Sequence, residues 1–275
     1  MNVFSQTDNV ELQRMYDEDQ RSRMNNNIDW SVLINQDKER EKRVYEMINQ
    51  GLIITGKDYY NSAMIFQHGS DTIASTMAVK HMRKAIELDP SMNKWLLAAA
   101  IDRDLMRRHK PQIYGTQYIK NNGEKWKRYT IDTTQVTDEE RRYYNVETLA
   151  DQREKERVLN LVPVSEFYST SGSISETIDL IKSENSKGIN SIYNTAENGL
   201  NDFGYELLNS NKEKEALQIF ILNTELYPNA FNAFDSLGEC LMKMGKKEEG
   251  IKAYKKSLEL NPGNENAKRI INGEK

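Results

Sequence analysis

Residues 197–264 carry one 34-residue pattern twice, and no other feature of the chain constrains its fold as strongly. Aligned on Pro228 and Pro262, the first copy supplies Leu200, Phe203, Gly204, Leu207, Ala216, Leu217, Phe220, Leu226 and Pro228. At the same offsets the second copy has Phe234, Leu237, Gly238, Leu241, Gly250, Ile251, Tyr254, Leu260 and Pro262. The large positions repeat at helical spacing. The small residues at the eighth and twentieth positions let two helices approach closely, and the proline ends the second. The pattern predicts two helical hairpins, 197–230 and 231–264, closed by a short capping helix over 265–272.

These copies resemble tetratricopeptide repeats. The resemblance implies a protein-binding module whose concave groove is lined by the first helix of each hairpin. Here that groove would present Asn201, Asp202, Tyr205, Leu208 and Asn209, then Asp235, Ser236, Glu239, Met242 and Lys243. Repeats of this family that grip a partner's C-terminal carboxylate place lysine and asparagine at fixed groove positions. Asp202, Asp235 and Glu239 stand at such positions here and would repel a carboxylate. The expected partner is therefore a protein or peptide of basic or mixed charge, with bracing of the chain's own first domain as the alternative. Two repeats alone bury little surface, so helices expected at 174–185 and 187–197 are assigned to cover the open end of the first.

The rest of the chain reads as mostly α. Five prolines and fourteen glycines in 275 residues favour long helices over an all-β fold. Helices are expected over 7–24 (capped by Thr7 or Asp8), 36–50, 58–68, 72–88, 91–109 and 147–160, with another starting at the Thr137-Asp138-Glu139-Glu140 capping signature. Asn25-Asn26-Asn27 breaks the first of these. The 58–68 and 72–88 pair is a degenerate hairpin, with Ala78 and Ala85 at its small positions but Phe66 where a small residue is required. Trp95, Leu96, Ala99 and Leu105 are the expected buried side of the next helix. Aromatic and β-branched residues around Asn122-Gly123 predict a small β-hairpin near 117–131. Pro163, Gly172 and four serines mark 161–173 as a linker. The expected architecture is a helical domain over 7–160 with that hairpin, then a helical cover and two-repeat module over 174–275.

Composition excludes several classes. A formal net charge of −4 gives no global attraction to nucleic acid, and no apolar run is long enough to span a bilayer, so no membrane partner is expected. Residues 103–128 hold eight Lys/Arg against two acidic residues, with Tyr114, Tyr118 and Trp126 interleaved. A solvated hairpin face accounts for this better than a nucleic-acid stripe. Cys240 is the single cysteine and reads as a packing residue. No metal-ligand spacing or nucleotide fingerprint is present, so no metal or cofactor is expected; His81 and His109, among basic residues on helices, read as solvated. Met1-Asn2-Val3-Phe4-Ser5-Gln6 lacks the parts of a signal peptide, which reads as cytoplasmic. The same residues are similar to the end of some bacterial export signals, and a trimmed signal would place the protein in the periplasm or outside.

Candidate chemistry lies in the first domain. Its polar residues fall into Asp19-Gln20 with Arg23, Gln67-His68, Asp102-Arg103, Gln112-Ile113-Tyr114-Gly115-Thr116-Gln117, and Arg141-Arg142. In this order they resemble a bacterial domain family marked by D-Q-x-x-R, Q-H, D-R and Q-x-Y-G-T-Q, over about residues 8–155. The resemblance implies a shared site and names no reaction. On chemical grounds His68 is a candidate general base with Asp102 orienting it, and Arg103, Arg141 and Arg142 are candidate clamps for a carboxylate or phosphate. Gln112, Tyr114, Thr116 and Gln117 would read a polar ligand, with Asp19, Gln20, Arg23 and Gln67 completing the set. The leading expectation is an interaction protein with a polar small-molecule or peptide site. The alternative is an enzyme, such as a hydrolase, using His68 and Asp102. A purely structural role, with buried ion pairs tying helices together, competes with both.

Overall fold

The computed structural model describes residues 7–24 and 27–273. The export reading of residues 1–6 and the break at Asn25 and Asn26 lie outside them. The chain divides into two compact units, Met1–Arg157 and Val158–Lys275.

The first unit begins with α1 (Val10–Arg23), α2 (Trp30–Asn49), α3 (Gly56–His68), α4 (Thr72–Leu88) and α5 (Trp95–Arg107). Asn9, rather than Thr7 or Asp8, caps α1: its side chain accepts from the Leu12 amide, while its own N–H donates to Asp58. Asp58 is fully buried and also accepts from the Ile54 and Thr55 amides, so one carboxylate joins the starts of α1 and α3. α2 starts six residues earlier than the stripe of Val44, Met47 and Ile48 implied, because Asp29 caps it through the Ser31 and Val32 amides. Leu12, Met15, Val44, Met47, Ile65, Phe66, Ala74 and Ala78 form the apolar core of these helices. Trp95, expected inside, is 37% exposed at the start of α5.

The remainder of the first unit is a loop-rich cap. A short antiparallel ladder pairs β1 (Tyr118–Ile119) with β2 (Lys127–Arg128), followed by α6 (Asp138–Tyr143) and α7 (Leu149–Val158). Thr137 caps α6 through the Glu140 amide, as its spacing predicted.

The second unit opens with β3 (Val162–Pro163) and α8 (Val164–Ser171), so residues 161–173 are not a linker. The proline and glycine there are helix punctuation. Pro163 precedes the first turn, where its missing N–H costs nothing, and Gly172 closes the helix at φ 65°. Val164 and Tyr168, one turn apart, point into the core. After α9 (Ile174–Ser186), the helix expected at 187–197 is instead a single 3₁₀ turn and β4 (Tyr193–Asn194), which pairs in parallel with β3. The Glu184 carboxylate accepts from Ser191 Oγ and the Ile192 amide, holding this segment out of helix.

The repeats follow as α10 (Glu197–Asn209) with α11 (Glu213–Leu226), and α12 (Phe231–Lys243) with α13 (Lys247–Leu260), closed by α14 (Glu265–Asn272). The two glycines do the same work in each copy. A Cβ on Gly204 would stand 2.6 Å from the Phe220 ring, and one on Gly238 would stand 2.9 Å from the Tyr254 ring. Each pair is separated by sixteen residues, and both rings are buried. Asn211 and Gly245, also equivalent, make the left-handed turn between the helices of each hairpin. α8 and α9 cover the first repeat with Val164, Tyr168 and Ile181.

Gly238→Val forces its side chain into Tyr254. We expect a loss of about 1–3 kcal/mol of stability in chemical denaturation, with Glu248→Ala on the exposed face of α13 unchanged. Equal stability of the two variants would contradict the packing.

Candidate functional site

Asp102, on α5, is fully buried and faces the loop that carries Gln112 to Gln117. Its Oδ1 accepts from the Ile113 and Tyr114 amides at 2.8 and 2.9 Å. Its Oδ2 accepts from the Gly115 and Thr116 amides and from Thr116 Oγ1, all within 2.9 Å. Four consecutive backbone N–H groups thus converge on one carboxylate, and its lone pairs are spent there. Asp102 does not orient His68. Sequence reasoning placed it in the chemistry because Asp-Arg and the loop motif are far apart along the chain, and their direct bond is a tertiary fact.

Most of the loop motif is likewise structural. Gln112 is fully buried; its amide donates to the carbonyls of Gln117 and Tyr129 and accepts from the Gln117 N–H, pinning the base of the hairpin. Gly115 sits at φ 94°, and a Cβ there would overlap the buried Gln152 side chain. Gln152 donates to the carbonyls of Tyr114 and Glu147. Tyr114 packs edge-on against Tyr144, and its hydroxyl reaches Glu140. Arg141 is the largest fully buried side chain, and it is not an anion clamp. Its guanidinium donates to the carbonyls of Ile113, Tyr114 and Val136 and to Asp138, which commits four of its five donors to the loop and to the start of α6. Arg142, beside it, is exposed.

A second group does converge. Asp19, on α1, is 1% exposed. Its Oδ1 accepts from Arg23 at 2.7 Å and Arg40 at 3.5 Å, and its Oδ2 accepts from Gln20 at 2.8 Å. His68 Nδ1 lies 2.9 Å from Oδ2, but without the alignment of a hydrogen bond. Burial alone would push the Asp19 carboxyl up, but His68, Arg23 and Arg40 outweigh it and hold it below the usual carboxylate range. Arg23 and Arg40 also share Asp37. Arg40 and Asp37 were missed because α2 is charged at nearly every position from Asp37 to Arg43, and spacing alone does not separate buried charges from solvated ones. The neighbouring cavity between α1 and α2, of about 600 Å³, is lined by Glu18, Arg21, Ser22, Met24, Gln36 and Arg40.

Arg103 and Arg107, one turn apart on α5, reach the turn that ends α3. Arg103 donates to the Gln67 carbonyl at 2.9 Å and to Gln117 Oε1 at 3.2 Å. Arg107 donates to the Gly69 and Asp71 carbonyls. Gln67 and Gly69 lie at the C-terminal end of α3, where cations are favoured, whereas the Asp71 carbonyl opens α4 and also accepts from the Ser75 amide. Arg103 has no carboxylate in ion-pair distance among the described residues. Burial, with Arg107 and Arg23 nearby, brings its guanidinium down to about 10. The adjacent Gln67 is 4% exposed, and its Oε1 has no hydrogen-bond partner.

His81, expected at the surface, is buried instead. Its Nδ1 is 2.7 Å from Ser62 Oγ and its ring packs edge-on against Tyr59 and Phe66. Its basic neighbours in sequence point outward from the opposite side of α4. His109 is exposed, as expected. Cys240 is fully buried in the repeat core, and burial pushes its thiol up to about 11.

In the repeats, the groove residues are partly committed to one another. Tyr205 donates to Glu239 at 2.7 Å and bonds Ser236, while Asp235 accepts from Asn264 and Asn266. These donors are neutral, so the negative charge of both carboxylates persists, and Asp202 is exposed. Lys243 donates to the Leu208 carbonyl. Asn209 is exposed, and Asn201 keeps a buried Oδ1 without a partner. Two positions leave the groove. Leu208 is buried, and Met242 fills the space against Gly250, where the missing Cβ admits its thioether.

Residues 236–264 match the family model for the tetratricopeptide repeat. The C-terminal module is a tetratricopeptide module, a class that works by contact with other proteins. No curated protein matches the chain. Among the described residues, no helix is long and apolar enough to cross a membrane.

Two outcomes separate structure from chemistry in the first unit. Asp102→Ala strands four buried N–H groups, so we expect a loss of about 3 kcal/mol or more and a clear fall in Tm. A Tm within a degree or so of the parent would contradict the loop-organising role. Burial depresses the His81 imidazole to about 4, against an ordinary 6.5. The unfolded chain therefore binds the extra proton, and stability is full above pH 6.5 and falls as the pH drops toward 4, by on the order of 3 kcal/mol. Urea unfolding at pH 7.5 and 4.5 checks this. His81→Leu should flatten the dependence, and an unchanged slope would rule His81 out as its source.

Proposed function

We propose that the first unit binds a polar ligand carrying an anionic group, held by Arg103 beside His68, while the repeats serve protein contact. The observation that carries this is the cation itself: Arg103 is half-buried, lies in the field of two other arginines, and has only neutral partners. A carboxylate or phosphate brought to it would relieve both the desolvation and the repulsion. The unpartnered Gln67 Oε1 adds a place for a ligand hydroxyl or amide donor. Gln117, Arg23 and Gln20 border the same region, and Asp19 lies against the imidazole. These groups would thus read an anion and a donor together, a pairing found on peptides and on hydroxylated acids alike. For the repeats, we favour a basic or mixed segment in the groove, since Asp202, Asp235 and Glu239 disfavour a terminal carboxylate.

The Asp19–His68 contact favours a second reading. A buried carboxylate beside Nδ1 leaves Nε2 without a hydrogen bond among the described residues, which is the arrangement of a general base. In a hydrolase, Asp19 would fill the role first given to Asp102.

Calorimetric titration of the full chain with inorganic phosphate and with N-acetylglutamate tests the binding reading. We expect saturable binding that Arg103→Gln weakens about tenfold or more and Arg142→Gln leaves unchanged. Equal loss in both variants, or no binding by either probe, would sink it. His68→Gln distinguishes the second reading, since it would abolish any turnover while sparing binding.

A further inference from the structure

The first repeat holds a tyrosine in a socket that the second repeat duplicates and leaves open. Tyr168, from α8, packs against Phe203 with the rings tilted, and its hydroxyl lies 2.5 Å from Glu215 Oε2 and 2.9 Å from Lys212 Nζ. The same ammonium sits over the ring, 4.6 Å from its centroid. Thirty-four residues on, Lys246 and Glu249 occupy the positions of Lys212 and Glu215, and Leu237 and Leu241 those of Phe203 and Leu207. Among the described residues no aromatic ring is in contact with Lys246 or Glu249, which face each other at 3.8 Å, both well exposed. On this face α12 and α13 enclose a groove of about 710 Å³ that runs from Phe234 past Leu237 and Leu241 to Glu249.

The copies differ in a way that indicates the occupant. Ile219 of the first repeat becomes Ala253, which deepens the groove. Gln218 and Ile221 become Lys252 and Lys255 on its rim. Neither lysine has a carboxylate partner among the described residues, whereas Lys256 is paired with Glu259. In the first repeat this face is covered by the apolar side of α8 and α9, and Leu200, Phe203, Leu207, Ile219 and Leu222 are all buried. In the second it is apolar at the base, and its edge leaves Lys252 and Lys255 unpaired among the described residues beside Glu249 and Glu259, which pair with Lys246 and Lys256.

The geometry points to a docking surface on the α12–α13 face for an amphipathic helix of another protein, anchored by a tyrosine between Lys246 and Glu249 and bearing acidic residues opposite Lys252 and Lys255. This surface is separate from the concave groove. A second copy of the chain is disfavoured as the occupant, because its own tyrosine helix is already held by Lys212 and Glu215 and two such lysine rims repel.

The probe is a fluorescein-labelled peptide with the chain's own α8–α9 sequence, residues 162–187, titrated with the full-length chain and read by anisotropy. We expect saturable binding, weakened about tenfold by Lys246→Ala or Glu249→Ala in the chain and lost with Tyr168→Ala in the peptide. Both chain positions are exposed, so circular dichroism should show the variants folded. No saturable binding up to about 1 mM chain overturns the proposal. Affinity that follows Lys212→Ala or Glu215→Ala instead means exchange into the first repeat, and also overturns it. So does a concentration-dependent dimer in sedimentation that Glu249→Ala abolishes, since the occupant would then be a second copy.

Discussion

The first unit depends on one carboxylate. Asp102 gathers the N–H groups of residues 113–116, and that single act folds the loop over α5. The carbonyls of that loop are then turned outward toward Arg141 and Gln152, which satisfy them from the far side. A buried loop cannot otherwise meet its hydrogen bonds, and each unmet one costs as much as a bond is worth. Gly115 is required at the centre of the arrangement, both for its left-handed backbone and because Gln152 occupies the space of a side chain. The spacing Gln-x-Tyr-Gly-Thr-Gln therefore records a folded loop.

Once that scaffold is subtracted, the polar residues left over are few and adjacent. Asp19, His68, Arg23 and Arg40 form one charged knot, and Arg103 reaches the same turn from α5 with only neutral partners. A charge buried for structure alone is ordinarily matched by its opposite, as Arg141 is by Asp138 and three carbonyls. Arg103 and Arg107 instead donate only to neutral groups at the turn that ends α3.

The second unit obeys a simpler rule. Each hairpin is closed by a glycine that admits an aromatic ring from sixteen residues away, and this interior is shared by both repeats. Their outer faces have diverged. One is sealed by α8 and α9, and its counterpart carries lysines above an apolar floor.

The sequence by itself determined the helical class, the repeat and its period, the α3–α4 hairpin and the terminal helix, because each rests on local periodicity, small residues at contact points and caps within a few residues. It also brought together a set of polar residues of which Asp19, His68, Gln67 and Arg103 do meet in space. Only the tertiary structure decided which carboxylate faces His68, that Asp102 and Arg141 belong to the loop, that Pro163 and Gly172 bound a helix rather than a linker, and that His81 is buried. Pro163 and Gly172 read alike as linker or as helix ends until the core contacts of α8 are known, and the other three share one physical reason. Hydrogen bonds between groups distant in sequence leave no period, and a charged residue reads the same along the chain whether its partner is water or a buried amide.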